Sequence, residues 1–303
     1  MCGITGLVLG SRGRSNADYQ KVKNDFTLML LSAQSRGTDA SGLFILNEGG
    51  RHFYYRAPVP ASELVESDEY WNILSQVDDS TIAIVGHTRA ATTGDPEVIE
   101  NNHPIYDAPL VGVHNGVVHN HEQLRRKYGA VADVDSATIL SVLKSRITDD
   151  AFLQRSDIRM AMPEVKGSWA VAIADTRKDS LFLARNNGSP MQLSWQKKSQ
   201  LLWFASTQQI LSAALPTSKS ISMQAWAVIE LKRISAETGK TTYKGIEAPA
   251  ASLSYGDYSW KGISRPTGSY SADSAYEWQR RFPAFYDEGA ASAAALKQAR
   301  EVN

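Results

Sequence analysis

A single cysteine, Cys2, is present among the 303 residues of the sequence. One thiol cannot form an internal disulfide, so the chain does not require an oxidising compartment. The sequence also lacks an uncharged apolar run near the roughly 20 residues that are needed to cross a bilayer. Its beginning has neither the basic segment nor the long apolar segment of a secretory leader. These absences predict a soluble, cytoplasmic protein that has no membrane as partner.

The chain has no excess charge of either sign, because 32 lysines and arginines face 32 aspartates and glutamates. Proteins that bind nucleic acids by neutralising phosphates, or that bind anionic membranes, carry a positive excess. The charge balance therefore argues against a nucleic acid as partner.

The histidines do not form a metal-binding motif. The sequence has no further cysteine and no H-E-x-x-H array beside them, so we expect neither a metal ion nor another cofactor. The histidines considered are His87, His103, His114, His119 and His121.

Short apolar runs and period-2 patterns dominate the first 231 residues and predict β-strands. Several runs are too apolar for a strand with one wet face, so we expect helices to cover the sheets. Helical spacing occurs at 19–35, at about 120–128 and at 135–147. The predicted strands are GITGLVLG, SGLFILN, TIAIVGHT, LVGVHNGVV, GSWAVAIAD, SLFLARN, LLWFAST and MQAWAVIEL.

The composition changes near residue 232. Residues from about 245 to 290 are rich in serine, glycine and aromatics, and an alanine-rich helical pattern follows. We therefore divide the chain into one compact domain over 1–231 and an arm over 232–303. The arm is too short for a second catalytic core, so we expect no synthetase domain in it. It either wraps the domain or docks a partner through its aromatic rings.

Cys2 combines a nucleophile with a base if Met1 is removed. A free thiol has a pKa of about 8.5 and is mostly protonated at neutral pH, although the thiolate is the nucleophile. Removal of Met1 would give the same residue an α-amino group with a pKa of about 7.7–8.0, which can accept the thiol proton. The alternative is a small buried residue at the start of a strand, and position alone favours it.

The segment VHNGVV places Asn115 and Gly116 at the end of an apolar run. A side-chain amide next to an unhindered backbone N–H is a suitable donor pair for a tetrahedral oxyanion. Asn-Gly is also common in turns, and the segment taken alone favours a turn.

Two charged residues could bind the ends of an amino acid. Arg89 follows a predicted strand among threonines, as a carboxylate site requires, although a surface position at the strand end is an equal alternative. Asp135 lies where a helix should begin. It suits a substrate ammonium group, but a helix N-cap is the more common role.

Taken together, these segments resemble the class II (N-terminal nucleophile) glutamine amidotransferases, and most closely the glutaminase domain of the glucosamine-6-phosphate synthase type. MCGITG is similar to the family's MCGIxG start, and SRGTDASG to its RG-x-D-x-x-G loop. GHTRAATTG, NNHPI, VHNGVVHNHEQLR and DVDSATIL are similar to later motifs and occur in the same order. The resemblance covers about residues 2–231.

The resemblance implies an α+β fold, a four-layer αββα sandwich of the N-terminal nucleophile hydrolase type, here with a C-terminal extension. It also implies a glutaminase that attacks glutamine and forms a γ-glutamyl thioester. The implied roles are Cys2 as nucleophile, Asn115 and Gly116 as oxyanion hole, Arg89 and Thr92 for the glutamine carboxylate, Asp135 for its ammonium group, and Arg36 and Asp39 for the loop over the pocket.

Two residues depart from the family pattern, because Ala90 and Thr93 stand where GHTRWATHG has Trp and His. The missing histidine removes one expected carboxylate contact. The missing aromatic ring is compatible with a wider pocket.

The favoured function is a stand-alone glutaminase subunit that passes ammonia to a separate synthetase or transferase. One alternative is hydrolysis of the γ-glutamyl amide of a larger metabolite. Another is a catalytically idle scaffold, which is disfavoured because a scaffold needs none of the candidate site residues.

Overall fold

A computed structural model describes residues 1–10, 13–147 and 151–232. The arm predicted over 232–303 lies outside these residues, apart from Lys232, which ends the last described strand. None of the described helices is both long enough and apolar enough to cross a membrane.

Two antiparallel sheets form the centre of the described fold. The strands are, in chain order, β1 (Gly3–Leu9), β2 (Ala40–Asn47), β3 (His52–Ala57), β4 (Thr81–Arg89), β5 (Ile105–Asp107), β6 (Leu110–Val118), β7 (Gly167–Asp175), β8 (Ser180–Arg185), β9 (Gln192–Gln196), β10 (Leu201–Ala205), β11 (Ile221–Ser222) and β12 (Val228–Lys232). The larger sheet has seven strands in the order β11-β9-β10-β1-β4-β2-β3. The smaller sheet has five strands in the order β12-β8-β7-β6-β5.

Helices cover the outer face of each sheet. They are α1 (Asn16–Ala33), α2 (Ala61–Leu64), α3 (Asp68–Ser75), α4 (His121–Tyr128), α5 (Asp135–Lys144), α6 (Arg155–Ala161) and α7 (Gln208–Ala214). On the larger sheet, Phe26 of α1 and Tyr70 of α3 share one hydrophobic cluster with Trp203 of β10. On the smaller sheet, Ile139 of α5 shares a cluster with Trp169 of β7. The described residues thus form a four-layer αββα sandwich, which confirms the predicted fold class.

Strand β7 explains why so many strands are apolar along their whole length. Ala170, Ala172 and Ala174 belong to the cluster between the sheets, whereas Val171 and Ile173 belong to the cluster under the helices. Alternate side chains point to opposite faces of a strand, and here both faces are buried. The strand therefore has no polar face, as the sequence predicted.

Helix α1 begins with a capping box. The Ser15 hydroxyl accepts a hydrogen bond from the backbone N–H of Asp18, and the Asp18 carboxylate accepts one from the backbone N–H of Ser15, both at 3.2 Å. Each bond satisfies a backbone N–H that the first helical turn leaves unpaired. The buried face includes Phe26 and Leu30, and burial of such a side chain stabilises the fold by about 1.5–3 kcal/mol. The helix predicted over 19–35 is confirmed, with its first residue at Asn16.

Several elements differ from the sequence prediction, which did not include strands β3, β5, β9 and β11 or helices α2, α3, α6 and α7. The run MQAWAVIEL is a strand only from Val228 onward, because Trp226 has a φ of +63°, which no strand residue adopts. Strand β3 was not predicted at all. It lies at the edge of the larger sheet and its side chains are half-buried or exposed, so it lacks the apolar run of a covered strand.

The three neighbouring strands β1, β4 and β2 have ends that lie side by side, at one end of the larger sheet. Gly3 at the start of β1 pairs with Thr88 of β4, and Ala40 at the start of β2 pairs with Arg89. A Cβ atom on residue 3 would lie only 2.6 Å from Thr88 Oγ1, so this approach requires glycine. The pairing places Cys2 next to the end of β4.

Candidate active site

Cys2 directly precedes β1 and is buried, with 8% of its surface exposed. Its thiol donates a hydrogen bond to the carbonyl oxygen of Ala90 at 3.6 Å. Its own carbonyl oxygen accepts one from Nε of Arg36 at 2.8 Å. Met1 is 73% exposed. The bond between Met1 and Cys2 therefore lies where the fold meets solvent.

Burial raises the pKa of the Cys2 thiol, because the thiolate loses its hydration. The contact with the Ala90 carbonyl, the N-terminal amino group and the cation of Arg89 oppose this increase, whereas the carboxylate of Asp135 adds to it. The charges of Arg89 and Asp135 thus both reach the thiol. With Met1 in place, the thiol is protonated at neutral pH.

We expect Cys2 to react slowly with iodoacetamide at pH 7 while Met1 is retained, for example behind an N-terminal tag. The rate should rise as the pH passes the ordinary thiol value of about 8.5, and its midpoint should lie above that of the same chain unfolded in urea. Pseudo-first-order alkylation rates against pH measure both midpoints. A folded-state midpoint at or below the unfolded one would contradict the burial effect.

Arg89 ends β4, and only 2% of its surface is exposed. Its Nη1 donates to Oδ1 of Asn102 at 2.7 Å, and its Nη2 donates to the carbonyl oxygens of Thr93 and Gly94, the latter at 2.8 Å. These bonds use three of the five N–H donors of a guanidinium, and two remain for a ligand. The surface alternative for Arg89 is therefore wrong, and the geometry suits carboxylate binding.

Asp135 is the first residue of α5 and is 2% exposed. Its Oδ2 accepts a hydrogen bond from the backbone N–H of Val118 at 2.7 Å, and its Oδ1 accepts one from the backbone N–H of Ser136 at 2.9 Å. The N-cap position belongs to Val134, which makes no side-chain cap. The N-cap alternative for Asp135 is therefore wrong, because its carboxylate turns toward the end of β6.

Thr93 joins the two charged residues, and sequence reasoning missed this. Its hydroxyl donates to Oδ1 of Asp135 at 3.1 Å and accepts from the backbone N–H of Asp135 at 3.1 Å. Its carbonyl oxygen accepts from Arg89. Thr92, which was predicted for the carboxylate, is exposed on the same loop. The sequence does contain a hint of this role, because Thr93 replaces the histidine of the family motif GHTRWATHG.

Asn115 and Gly116 lie inside β6, paired with Ala170 and Trp169 of β7, so the turn alternative is wrong. Asn115 is fully buried, and neither atom of its amide has a hydrogen-bond partner among the described residues. A buried unpaired polar group costs roughly 1–3 kcal/mol, which calls for a functional explanation. Gly116 has a φ of +147°, and a Cβ there would lie 1.9 Å from the carbonyl oxygen of Ser168. This position therefore requires glycine.

Arg36 and Asp39 hold the backbone around these groups. Besides the bond from Arg36 to Cys2, Oδ2 of Asp39 accepts from the backbone N–H of Ala91 at 2.7 Å. The backbone N–H of Asp39 donates to the carbonyl oxygen of Arg89 at 3.0 Å. Their role in shaping a loop over a pocket stays a prediction.

The five histidines considered above for a metal site fall into two groups. His87, His103 and His114 are buried, and the rings of His87 and His103 stack with centroids 4.1 Å apart. Burial lowers the pKa of His87 to about 3 and also lowers the pKa of His103 and of His114. His119 and His121 lie beyond the end of β6. Within the described ranges, no group of three or more His, Cys, Asp or Glu side chains is arranged to hold a metal ion.

The chain is similar to known amidotransferases. Residues 87–213 match a family model described as a glutamine amidotransferase domain. The glutamine–fructose-6-phosphate aminotransferase (isomerizing) of Geobacillus kaustophilus is 30% identical over 197 residues, and that of Escherichia coli K12 is 28% identical over 200 residues. Each alignment covers 63% of this chain. It covers 30% of the first relative and 29% of the second, so the chain spans less than a third of the length of these curated relatives.

A solved structure supports the fold. The glutamine phosphoribosylpyrophosphate amidotransferase from B. subtilis superposes with a TM-score of 0.58 at 19% identity. The superposition covers 76% of this chain and 47% of that chain. At this identity the likeness concerns the arrangement of sheets and helices.

Proposed function

We propose that this chain, which carries a class II glutamine amidotransferase domain, hydrolyses the side-chain amide of glutamine to glutamate and ammonia with Cys2 as nucleophile. One observation carries the proposal. A buried guanidinium, Arg89, lies at the end of β4 beside the single thiol of the chain, and Thr93 joins it to a buried carboxylate, Asp135. A cation and an anion next to a nucleophile can bind the carboxylate and the ammonium group of an amino acid, so that its side chain extends toward the nucleophile.

The two charged residues would hold the head of glutamine. The remaining donors of Arg89 suit the α-carboxylate, because guanidinium and carboxylate form paired, charge-assisted hydrogen bonds. The carboxylate of Asp135 suits the α-ammonium group. Thr93, bonded to both residues, would keep their spacing constant.

The chemistry would begin once Met1 is removed. The α-amine of Cys2 takes the thiol proton, and the sulfur attacks the amide carbon of glutamine, forming a C–S bond and a tetrahedral oxyanion. The side-chain amide of Asn115 and the backbone N–H of Gly116 would donate hydrogen bonds to that oxyanion. The protonated amine returns the proton to the leaving nitrogen, and the C–N bond breaks to release ammonia.

Water then completes the reaction. It attacks the γ-glutamyl thioester carbon while the amine takes one of its protons, and the same oxyanion donors serve again. The C–S bond breaks, glutamate leaves, and the proton returns to sulfur. The amide nitrogen of glutamine leaves as ammonia, and the new carboxylate oxygen of glutamate comes from water.

Intact-mass analysis tests this proposal directly. The purified chain would be measured before and after treatment with a diazoketone analogue of glutamine, which alkylates a thiolate with loss of nitrogen gas. We expect a mass without Met1 and one adduct, with glutamate release in a parallel assay. A retained Met1, no adduct and no glutamate would contradict the proposal and favour an idle scaffold.

Thr93→Val is expected to raise the KM for glutamine by about tenfold, because the carboxylate of Asp135 loses one hydrogen bond and the backbone N–H of Asp135 loses the hydroxyl that accepts from it. Thr93→Ser keeps the hydroxyl and is the matched control. Steady-state kinetics of both variants provide the measurement. Equal KM values for the valine and serine variants would rule out a role of the hydroxyl in substrate binding.

A second candidate is hydrolysis of a γ-glutamyl amide with a larger amine portion. Ala90, whose carbonyl accepts the Cys2 thiol, is a small residue where the family motif has tryptophan. A series of γ-glutamyl amides of increasing size would separate the two. Higher kcat/KM for larger amides than for glutamine would select this candidate, and a steady decrease with size would reject it.

The ammonia is proposed to pass to a separate synthetase or transferase. The two sheets and their covering helices account for the described residues, and we propose that ammonia is consumed at a site outside them. Glutamine labelled with ¹⁵N in its amide would be added to a cytoplasmic extract with and without the purified chain. Label in a product other than ammonia, dependent on the chain and lost with Cys2→Ala, would support the transfer. Label in ammonia alone would contradict it.

A further inference from the structure

His87 forms a polar connection between the two sheets. It lies on β4 of the larger sheet, and its Nε2 is 2.9 Å from the carbonyl oxygen of His114 on β6 of the smaller sheet. His87 is fully buried in the described fold. Val85, two residues from His87 on β4, and Val113, two residues from Asn115 on β6, belong to the apolar cluster between the sheets. A hydrogen bond in such surroundings is strong because no water competes for it.

The partner of His87 determines which of its nitrogens carries the proton. A carbonyl oxygen only accepts hydrogen bonds, so Nε2 must be the protonated nitrogen of a neutral ring. Burial keeps the ring neutral over the physiological range. His87 therefore presents one donor of fixed direction to β6.

The connection continues from β6 to the helix that carries Asp135. Nδ1 of His114 is 2.8 Å from Oγ of Ser136, and the backbone N–H of Ser136 donates to Oδ1 of Asp135 at 2.9 Å. His87, His114 and Ser136 thus link β4, β6 and α5 by hydrogen bonds. Each of the three lies within two residues of a candidate site residue in the sequence.

Asn115 depends on this backbone for its position. Its amide has no hydrogen-bond partner among the described residues, so no hydrogen bond of the side chain fixes its orientation. The ladder with β7 holds β6 within its own sheet. The bond from His87 holds the preceding carbonyl from the opposite sheet, across the layer that separates β6 from Cys2.

We infer that His87 is a positioning residue for the oxyanion hole: by holding the His114 carbonyl, it sets the distance between the donors on β6 and the nucleophile at the start of β1. The inference rests on the proposed glutaminase function. A positioning role predicts that loss of the donor slows the chemical step more than it weakens substrate binding.

The test compares three substitutions at one position in the whole chain. His87→Gln can place an amide N–H near the original Nε2, whereas His87→Asn has the same amide on a shorter side chain and cannot reach β6. His87→Leu fills the space without any donor. We expect the asparagine and leucine variants to lower kcat by about 10²-fold, as misplacement by about 1 Å does. Their KM should change little, and the glutamine variant should recover much of the lost kcat.

A neighbouring histidine provides the matched control. His103 is equally buried in the same ring stack, but its ring nitrogens have no hydrogen-bond partner among the described residues. His103→Asn should lower the melting temperature while kcat stays close to that of the unsubstituted chain. This control separates loss of packing from loss of the bond to β6.

Three results would overturn the inference. Unchanged kcat in His87→Asn would show that the bond does not matter for the reaction. Equal losses in His87→Gln and His87→Asn, or an equal kcat loss in His103→Asn, would show that only packing matters. Absence of glutamine hydrolysis by the unsubstituted chain would instead contradict the proposed function itself.

Discussion

Cys2→Ala is expected to abolish glutamine hydrolysis, with kcat lower by on the order of 10⁶-fold, as when the nucleophile of a hydrolase is removed. No other cysteine can replace the lost sulfur, since Cys2 is the only one in the sequence. Without a thioester, only direct attack of water on the bound amide remains. Glutamate release, measured by an enzyme-coupled assay, gives the rate.

The alanine variant should fold and bind normally. The thiol makes one long hydrogen bond at 3.6 Å, so its loss removes little stability. Arg89 and Asp135 stay in place, and calorimetric titration should find glutamine affinity close to that of the unsubstituted chain. Glutamate release by Cys2→Ala at an appreciable fraction of the original rate would exclude Cys2 as nucleophile.

A second control separates the thiol from the amine. A chain with an uncleavable residue in front of Cys2 keeps the sulfur but converts the α-amine into an amide, which is not a base. We expect this chain to be inactive at neutral pH although its thiol is intact. Full activity of the extended chain would assign the base to another group.

Asn115→Leu is expected to lower kcat by about 10²–10³-fold while the melting temperature stays unchanged or rises. Loss of one oxyanion donor accounts for the slower reaction. The melting temperature should not fall, because leucine has a similar size and the amide that it replaces is fully buried without a hydrogen-bond partner. Kinetics and thermal unfolding of the same preparation measure both effects.

Asn186→Leu is the matched control, because Asn186 is also buried but its amide makes three hydrogen bonds. Its Oδ1 accepts from the backbone N–H of Trp169 and of Gly188, both at 3.0 Å, and its Nδ2 donates to the carbonyl oxygen of Gly167 at 2.7 Å. Its replacement should lower the melting temperature without a comparable loss of kcat. If Asn115→Leu behaved in the same way, the amide of Asn115 would be structural and the oxyanion role would be refuted.

The layers of this fold can be predicted from the sequence because buried strands and helices have recognisable patterns of apolar residues. Strands covered on both faces, such as β7, are apolar at every position, and a helix such as α1 shows its buried stripe together with its cap. Elements that depend on position in the assembled sheet are harder to predict. The side chains of the edge strand β3 are only half-buried or exposed, so its sequence lacks the apolar run of a covered strand.

The site residues were likewise predictable only in part. Their types and order could be identified from motifs, but their local structure could not. Asn115 and Gly116 read as a turn because Asn-Gly favours turns locally, yet pairing with β7 extends them. Asp135 read as a helix cap, yet the backbone N–H of Val118 draws its carboxylate toward β6. Both outcomes depend on contacts between segments far apart in the chain.

The loop after β4 is the part of the site where laboratory evolution has most freedom. Position 116 on β6 requires glycine, because any side chain there would collide with the backbone of Ser168 on β7. Thr92 is exposed, and Ala91 is held through its backbone rather than its side chain. The guanidinium of Arg89 donates hydrogen bonds to the carbonyl oxygens of Thr93 and Gly94 in this loop. Insertions would disturb these bonds, whereas substitutions at positions 91 and 92 would not. Selection for acceptance of new amide substrates should therefore start with point substitutions at these two positions and leave the loop length unchanged.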